Sequence, residues 1–524
     1  MGFDFTKFSD ERLDSGFVTW LIEERWPTSA ARYGRLWDYY QNPMVDRGSA
    51  GVLSERTNES SRGYVQAQEV GLPTRITGLA YTGAADVRAG RPVRDVQRKE
   101  VVIENDIAWR INAMVDFLFG KPVKLISRSP QAARRRDIEA IVEAVFSANG
   151  GIGFFQDMAV LGSVYGFVDC MIRPGEVAAH GPGDGGHRAA HGPTEKTHHT
   201  SAFPSCLEAA SRIGLELIEA PRALPVLDEG DYRRIVVYVQ NVVQARNRVR
   251  GEGRFLSRLL GPLAGAGGRG DRDTAMVTEV LGPRWWQRYE DRRLVAEGPN
   301  VLGEVPVVHI QNLAQPYFYE GLGDVEQLIP LQDELNTRLS DRASRLTMQA
   351  FKMYLAKGIE GMEERPVAPG RMWYTDNPEA TVESFGGDTA APSEDRHIAE
   401  VRDALDKVSG VTPVVAGLLR NKLGNLTSGV ALKMTFMGML AKTLRKQRTY
   451  GQGIAEICRK VLALLDARGV YHTDQADRRV EVVFPDPLPA DEMDRLNEAR
   501  AKMELGVPAE QVLGELGYGM ANGQ

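Results

Sequence analysis

The chain reads as an α+β protein, predominantly helical, and three features of its 524 residues lead there. Apolar residues recur at helical spacing through several long stretches. β-Branched runs of strand length fill the middle of the chain, and islands rich in Gly and Pro separate these zones. A chain of this length buries a large core and divides into several subdomains.

The first forty residues mix aromatics with charges (Phe17, Trp20, Trp26, Trp37, Tyr40), which predicts short amphipathic helices. The stretch 48–63, rich in Gly, Ser, Asn and Arg, predicts an extended loop. Ile107, Ile111, Met114 and Leu118 share one face of a helix predicted over 104–119 and stopped by Gly120 and Pro122. A second helix carries Ile138, Ile141, Val142, Val145 and Phe146. A third carries Phe154, Phe155, Met158, Leu161 and Tyr165, and runs into a strand over 167–172.

Composition then changes. Residues 174–204 and 261–273 lack large apolar side chains over most of their length and are expected to be flexible insertions. Around them, 215–219, 234–243, 276–280 and 305–310 read as strands of an antiparallel subdomain. From Gly321 the pattern is helical again. Asp324 with Gln327 approximates a capping box, and Pro330 predicts a bend after one turn. A small β unit is expected over 351–385. A second helix follows over 392–408 (Ile398, Val401, Leu405, Val408), and then a loop over 411–427. A long helix over 428–465 has Val430, Met434, Met437, Leu440 and Leu444 and then Ile454, Ile457, Val461 and Leu464 as its apolar set, with a bend expected at Gly451 and Gly453. A strand over 479–484 and helices around Leu496 and Leu513 complete the chain.

Composition also excludes several classes of function. No apolar run approaches the ~18 residues of a membrane span, and the first residues lack a signal-peptide core, so the chain is expected in the cytosol of the cell that makes it. Gly2 with Thr6 fits the loose myristoylation pattern, but no basic cluster or second lipid site accompanies it. Cys170, Cys206 and Cys458 are scattered and odd in number, which excludes a disulfide framework or a zinc ribbon. A net charge of −6 argues against a DNA binder that grips phosphates over a basic face. It leaves room for a protein along which DNA slides.

Charge by segment is more telling than the total. Residues 363–407 hold eleven carboxylates against five Lys or Arg, whereas 420–460 hold nine Lys or Arg against one Glu. Two solvated or mutually paired faces explain this contrast, and so does an acidic wall followed by a basic loop and helix. Catalytic signatures are missing: there is no phosphate-binding loop, no His-Glu-x-x-His pair and no nucleophile elbow. The glycines at 265, 267, 268 and 270 lack a flanking strand and helix and read as a flexible tip. His180, His187, His191, His198 and His199 form a His-rich tract whose irregular spacing favours adventitious capture of zinc or nickel over a built site. Asn58-Glu-Ser60 and Asn425-Leu-Thr427 match the glycosylation sequon without a secretory context. No cofactor and no metal is expected.

Several segments, in order, resemble the portal proteins of tailed bacteriophages. They are 105–122, ending in Gly-Lys-Pro; 300–308, Asn-Val-Leu-Gly-Glu-Val-Pro-Val-Val; 321–336; and 427–432, Thr-Ser-Gly-Val-Ala-Leu. The resemblance covers roughly 65–520. It implies a ring of about twelve subunits at one capsid vertex through which double-stranded DNA is packaged and ejected. Carried onto this sequence, it implies a wing over 1–320, stem helices over 321–349 and 391–410, and a clip over 350–390. A tunnel loop over 411–427, a long wing or crown helix over 428–470 and a crown over 471–524 follow. Arg420, Asn421, Lys422 and Asn425 would face DNA from the tunnel loop through phosphates rather than bases. Asp324, Glu334, Glu400 and Asp403 would line the stem, and Arg365, Arg371 and Trp373 would dock partners at the clip.

The implied partners are further copies of the chain, the terminase large subunit, head–tail connector proteins and the major capsid or scaffold protein. No membrane is implied, and the expected place is the virion, after assembly in the host cytoplasm. Two other classes stay open from the residues alone: an enzyme that processes nucleic acid with a carboxylate metal site in 363–407, and a soluble adaptor that forms no ring.

Overall fold

The computed structural model describes residues 3–46, 64–77, 100–175, 202–245, 274–350, 353–357, 378–385, 391–412, 434–488, 492–509 and 512–513. Helix α1 (Ser15–Trp20) starts where Asp14 accepts hydrogen bonds from the backbone N–H of Gly16 and Phe17. One π turn, Leu21–Arg25, carries it into α2 (Trp26–Gln41), which ends at Asn42 in the left-handed region. A short ribbon of β1 (Met44–Asp46) and β2 (Tyr64–Gln66) follows. Next come α3 (Asp106–Phe119), β3 (Lys124–Ser127), α4 (Ala132–Ala148), α5 (Ile152–Tyr165), β4 (Phe167–Arg173) and α6 (Ala202–Ser211).

Strands β5 (Gly214–Ile218), β6 (Ala223–Leu227), β7 (Ile235–Ala245), β8 (Thr274–Leu281), β9 (Trp285–Glu290), β10 (Arg293–Pro299) and β11 (Val307–Gln311) form two sheets. One is an antiparallel meander in the order β10-β9-β8-β7-β6. The other is β11-β4-β5, with β4 in the centre. Both faces of β4 are covered, which is why Phe167-Val-Asp-Cys-Met-Ile172 is a nearly unbroken apolar run. Its one acid, Asp169, is fully buried and accepts hydrogen bonds from the hydroxyls of Tyr238 and Tyr319, with His309 Nδ1 at 2.7 Å.

The chain then enters α7 (Ile329–Ala350), the hairpin β12 (Met353–Lys357) and β13 (Thr381–Phe385), and α8 (Pro392–Ser409). It closes with α9 (Met437–Ala467), β14 (Val480–Val483) and α10 (Glu492–Glu504), with β14 paired to β3. One large core joins these parts. Ile107, Ile141, Met158, Val168, Leu335 and Ile457 all belong to it, each contributing about 1.5–3 kcal/mol of burial.

Several sequence expectations need correction. Pro330 does not bend a helix already under way: a 3₁₀ turn (Glu326–Leu328) precedes it, and α7 starts at Ile329 with Pro330 in its first turn, where its missing N–H costs nothing. Asp324 caps nothing, because its carboxylate is spent on two lysines. Gly451 and Gly453 do not interrupt α9. Gly453 serves close packing instead, since a Cβ there would lie 2.4 Å from Ile310 Cγ1. The expected apolar face of the long helix is misplaced only in its first part: Met434, Met437 and Leu444 are 69, 62 and 58% exposed, while Met439, Thr443 and Lys446 are buried; further along, the expected Ile454, Ile457, Val461 and Leu464 are all buried. Strands β6, β9 and β10 and helix α6 were not anticipated. Among the described residues no single helix is long and apolar enough to cross a membrane. The expected loop over 48–63, the histidine tract and the insertion over 261–273 lie outside the described residues, as does nearly all of 174–204.

Candidate functional site

The feature that sets this chain apart from an ordinary α+β protein is the helical hairpin of α7 and α8, with β12 and β13 at its tip. Leu335 and Leu339 of α7 share a core with Ile398, Val401 and Leu405 of α8. Ion pairs run in antiparallel order along the seam: Arg345 with Glu394, Arg342 with Asp395 at 3.3 Å, and Glu334 with His397 at 2.9 Å. Burial would raise the Glu334 pKa, but hydrogen bonds from His397 and Arg338 outweigh it and hold the carboxyl below its ordinary value. The acids at the start of α8 therefore pair with arginines of α7, not with the basic helix α9. Partly exposed pairs of this kind align the helices more than they stabilise them.

The hairpin has two buried roots. At the first, Asp324 is 4% exposed and lies between Lys446 Nζ and Lys442 Nζ, each 2.6 Å away. Lys446 also donates to Ser163 Oγ at 2.8 Å, and Asn312 Nδ2 donates to Asp324 Oδ2 at 3.1 Å. Burial alone would raise the Asp324 pKa, but the two ammonium groups more than offset it and hold the carboxyl well below the usual range. The chain reaches this point by a close approach of two backbones: a Cβ on Gly321 would stand 2.5 Å from the Gly166 carbonyl oxygen.

At the second root, Arg110 of α3 is 3% exposed and holds the far end of α8. Its guanidinium donates to Asp406 Oδ1 (2.7 Å), Ser409 Oγ (3.0 Å), the Val411 carbonyl (3.1 Å) and Asp106 Oδ2 (3.3 Å). Gly410 supplies the left-handed turn that ends α8, with φ +70°. Lys442 Nζ donates to the Ser409 carbonyl at 2.7 Å, so the two roots touch. The chain therefore enters the segment after 412 from an over-determined position.

A third device escaped the sequence reading. Gln332, Asn336 and Ser340 recur every four residues on the buried face of α7 and treat the extended segment 102–106 as a strand partner. Asp106 N–H donates to Gln332 Oε1, Glu104 N–H to Asn336 Oδ1 and Val102 N–H to Ser340 Oγ, at 3.1, 3.0 and 3.0 Å. Polar residues at i, i+4 and i+8 were the available signal. They are masked by the apolar series Leu335, Leu339 and Leu346 on the same helix.

The predicted site residues separate under this geometry. Asp324 is buried and paired with Lys442 and Lys446. Glu334 is half-buried in the seam. Glu400 and Asp403 are exposed on the outer face of α8. Arg420, Asn421, Lys422 and Asn425 lie outside the described residues, as do Arg365, Arg371 and Trp373. Among the described residues no three His, Cys, Asp or Glu side chains gather to hold a metal ion.

Residues 268–516 match the family model described as phage portal protein, SPP1 Gp6-like. No curated protein matches the chain. Among solved structures, a chain of the virion of a native gene transfer agent (GTA) particle aligns at 12% identity over 78% of this chain and 88% of its own, with a TM-score of 0.40. A chain of the neck of an empty GTA particle, computed with C6 symmetry, aligns at 13% identity over 79% and 90%, also at 0.40.

Proposed function

Residues 268–516 belong to the phage portal protein family, SPP1 Gp6-like, and from that premise we propose that the chain is the ring-forming subunit of a DNA conduit at one capsid vertex. The observation that carries this reading is that the matched segment contains the whole rooted hairpin: α7, the β12–β13 tip, α8 and α9. In this reading the hairpin is the stem and its tip the clip. Residues 411–427 form the tunnel loop, 1–320 the wing, and 471–524 the crown. Arg420, Asn421, Lys422 and Asn425 meet passing DNA, and Glu400 and Asp403 belong to the stem surface. Asp324 and Glu334 hold the stem in place rather than line it.

The rooted geometry supports a mechanical part. Two buried charge clusters fix both ends of the hairpin, so load applied at the tip is carried into the core rather than absorbed by a hinge. DNA then moves through the ring under force supplied by a separate ATPase, the terminase, which docks at the clip with Arg365, Arg371 and Trp373. Head–tail connectors later occupy the same end, and capsid or scaffold protein surrounds the wing. The subunit itself needs no cofactor.

Electron microscopy of the purified protein tests this. Closed rings with a central channel are expected, and monomers or dimers across all salt and protein concentrations would overturn it. Divalent-metal-dependent cleavage of DNA would favour the nucleic-acid-processing alternative.

A further inference from the structure

The N-terminal helices and the edge strand β6 enclose a cavity of about 260 Å³. One wall is a stripe of every fourth residue: Phe17, Leu21, Arg25, Ser29 and Tyr33. In a straight α-helix such a stripe drifts by about 40° per step and soon leaves the groove. The π turn Leu21–Arg25 winds more loosely, which cancels part of that drift and keeps the stripe in line. The opposite wall is β6, where Pro225 has no N–H to offer an added strand. Phe167, edge-on to both Tyr33 and Tyr319, closes the end.

The polar corner of this cavity is under-bonded. Tyr33 is 5% exposed, yet its hydroxyl makes no hydrogen bond with any described residue. A buried tyrosine hydroxyl ordinarily finds a partner. Burial raises the Tyr33 pKa, and the charges of Glu320 and Arg25 both reach the group. Those two charges also fall short of each other. Arg25 Nη2 and Glu320 Oε1 stand 3.9 Å apart, beyond hydrogen-bond reach, with 51 and 36% of their side chains exposed.

We propose that the cavity takes a single phenol ring, with its hydroxyl set among Arg25, Glu320 and Tyr33. Arg25 and Glu320 cancel in charge, so a guest ion of either sign is attracted by one and repelled by the other. A neutral hydroxyl suits all three groups. It accepts from Arg25 and from the Tyr33 hydroxyl through its two lone pairs, and donates its one proton to Glu320. The ring itself meets Leu21, Pro225 and Phe167. A volume of about 260 Å³ lies just below the ~300–1,000 Å³ of pockets for larger ligands, which selects one ring over a bulky cofactor. The guest borders the first root of the hairpin, since Glu320 immediately precedes Gly321 at its close approach to Gly166. The cavity belongs to one subunit, so binding does not require a ring of subunits.

Saturation-transfer NMR on the full chain tests this with p-cresol, toluene and N-acetyltyrosinamide. p-Cresol should bind about tenfold or more tightly than toluene, which has the ring but no hydroxyl. Tyr33→Phe should weaken p-cresol by about fivefold and leave toluene unchanged. Ser29→Trp fills the cavity and should abolish binding of p-cresol and toluene with circular dichroism unchanged; if that variant does not fold, Tyr33→Phe decides. N-acetyltyrosinamide binding as well as p-cresol would identify the guest as a tyrosyl side chain of a protein, and p-cresol binding alone would identify a free phenolic molecule. Wild type that ignores p-cresol, toluene that binds equally well, Tyr33→Phe without effect, or p-cresol binding that survives in folded Ser29→Trp would each overturn the site.

Discussion

Lys446 and Asp324 are 122 residues apart in the chain, yet Lys446 Nζ donates to Asp324 Oδ2 at 2.6 Å in a site almost closed to water. The contact joins the long helix to the base of the hairpin. Charges buried in this way stabilise a fold only as a matched set, because removing one partner strands the others without solvation.

Asp324→Asn leaves Lys442 and Lys446 facing each other without a counter-charge. It should cost about 3–5 kcal/mol in urea unfolding. Adding Lys446→Met should recover part of that loss, since it removes the most deeply buried stranded charge. Additive losses in the double variant would show that the two residues do not interact.

A half-buried cluster on β4 and β5 sets part of the response to acid. Glu216 accepts from Arg173 Nε at 2.5 Å and Arg222 at 2.9 Å. Burial pushes its pKa up, but the two guanidiniums outweigh this and bring it from 4.5 to about 2. A pKa depressed in the folded state means the contribution is full above about pH 4.5 and is lost as the pH falls toward 2. The shift corresponds to about 3 kcal/mol. Glu216→Gln should flatten that part of the stability–pH curve, and an unchanged acid limb would contradict the assignment.

Arg110→Ala should release the end of α8. Its guanidinium is the shared donor for Asp406, Ser409 and Val411, so residues 405–412 should exchange backbone hydrogen faster while α4 and α5 stay protected. Arg110→Lys should restore little, because an ammonium group cannot span the same acceptors with a planar fork. Equal exchange across all helices would mean that Arg110 acts on global stability alone.

Gly453→Ala places a methyl group against Ile310, a residue 1% exposed, and should cost about 1–3 kcal/mol. Ile310→Val in the same chain should return part of it by trimming the opposing side chain. A neutral Gly453→Ala would mean that α9 shifts freely on β11.

Arg420→Ala with Lys422→Ala should reduce DNA packaging several-fold while rings still assemble, as counted by packaged genomes and electron microscopy. Normal packaging by this variant would remove the tunnel loop from the proposed function.

Much of the architecture was legible because it depends on local periodicity. Ile107, Ile111, Met114 and Leu118 announce α3 without help from any other part of the chain, and β7 and β8 are visible in their β-branched residues. The order of helix, β unit and helix in the hairpin was also readable, because the helical period breaks over 351–385 and resumes at 392. What the sequence could not assign was the side of each helix that faces inward. α9 carries apolar residues on two faces, and only the packing of Met439, Thr443 and Lys446 against Ser163, Asp324 and the core decides which face is covered. In the same way Asp324 reads as an exposed acid until Lys442 and Lys446 arrive from more than a hundred residues away. Periodicity is a property of neighbours along the chain, so sequence alone determined the longer helices, the most β-branched strands and their order. Long-range charge pairing and burial are properties of neighbours in space, so tertiary structure alone decided which polar groups anchor the hairpin and which side of α9 is buried.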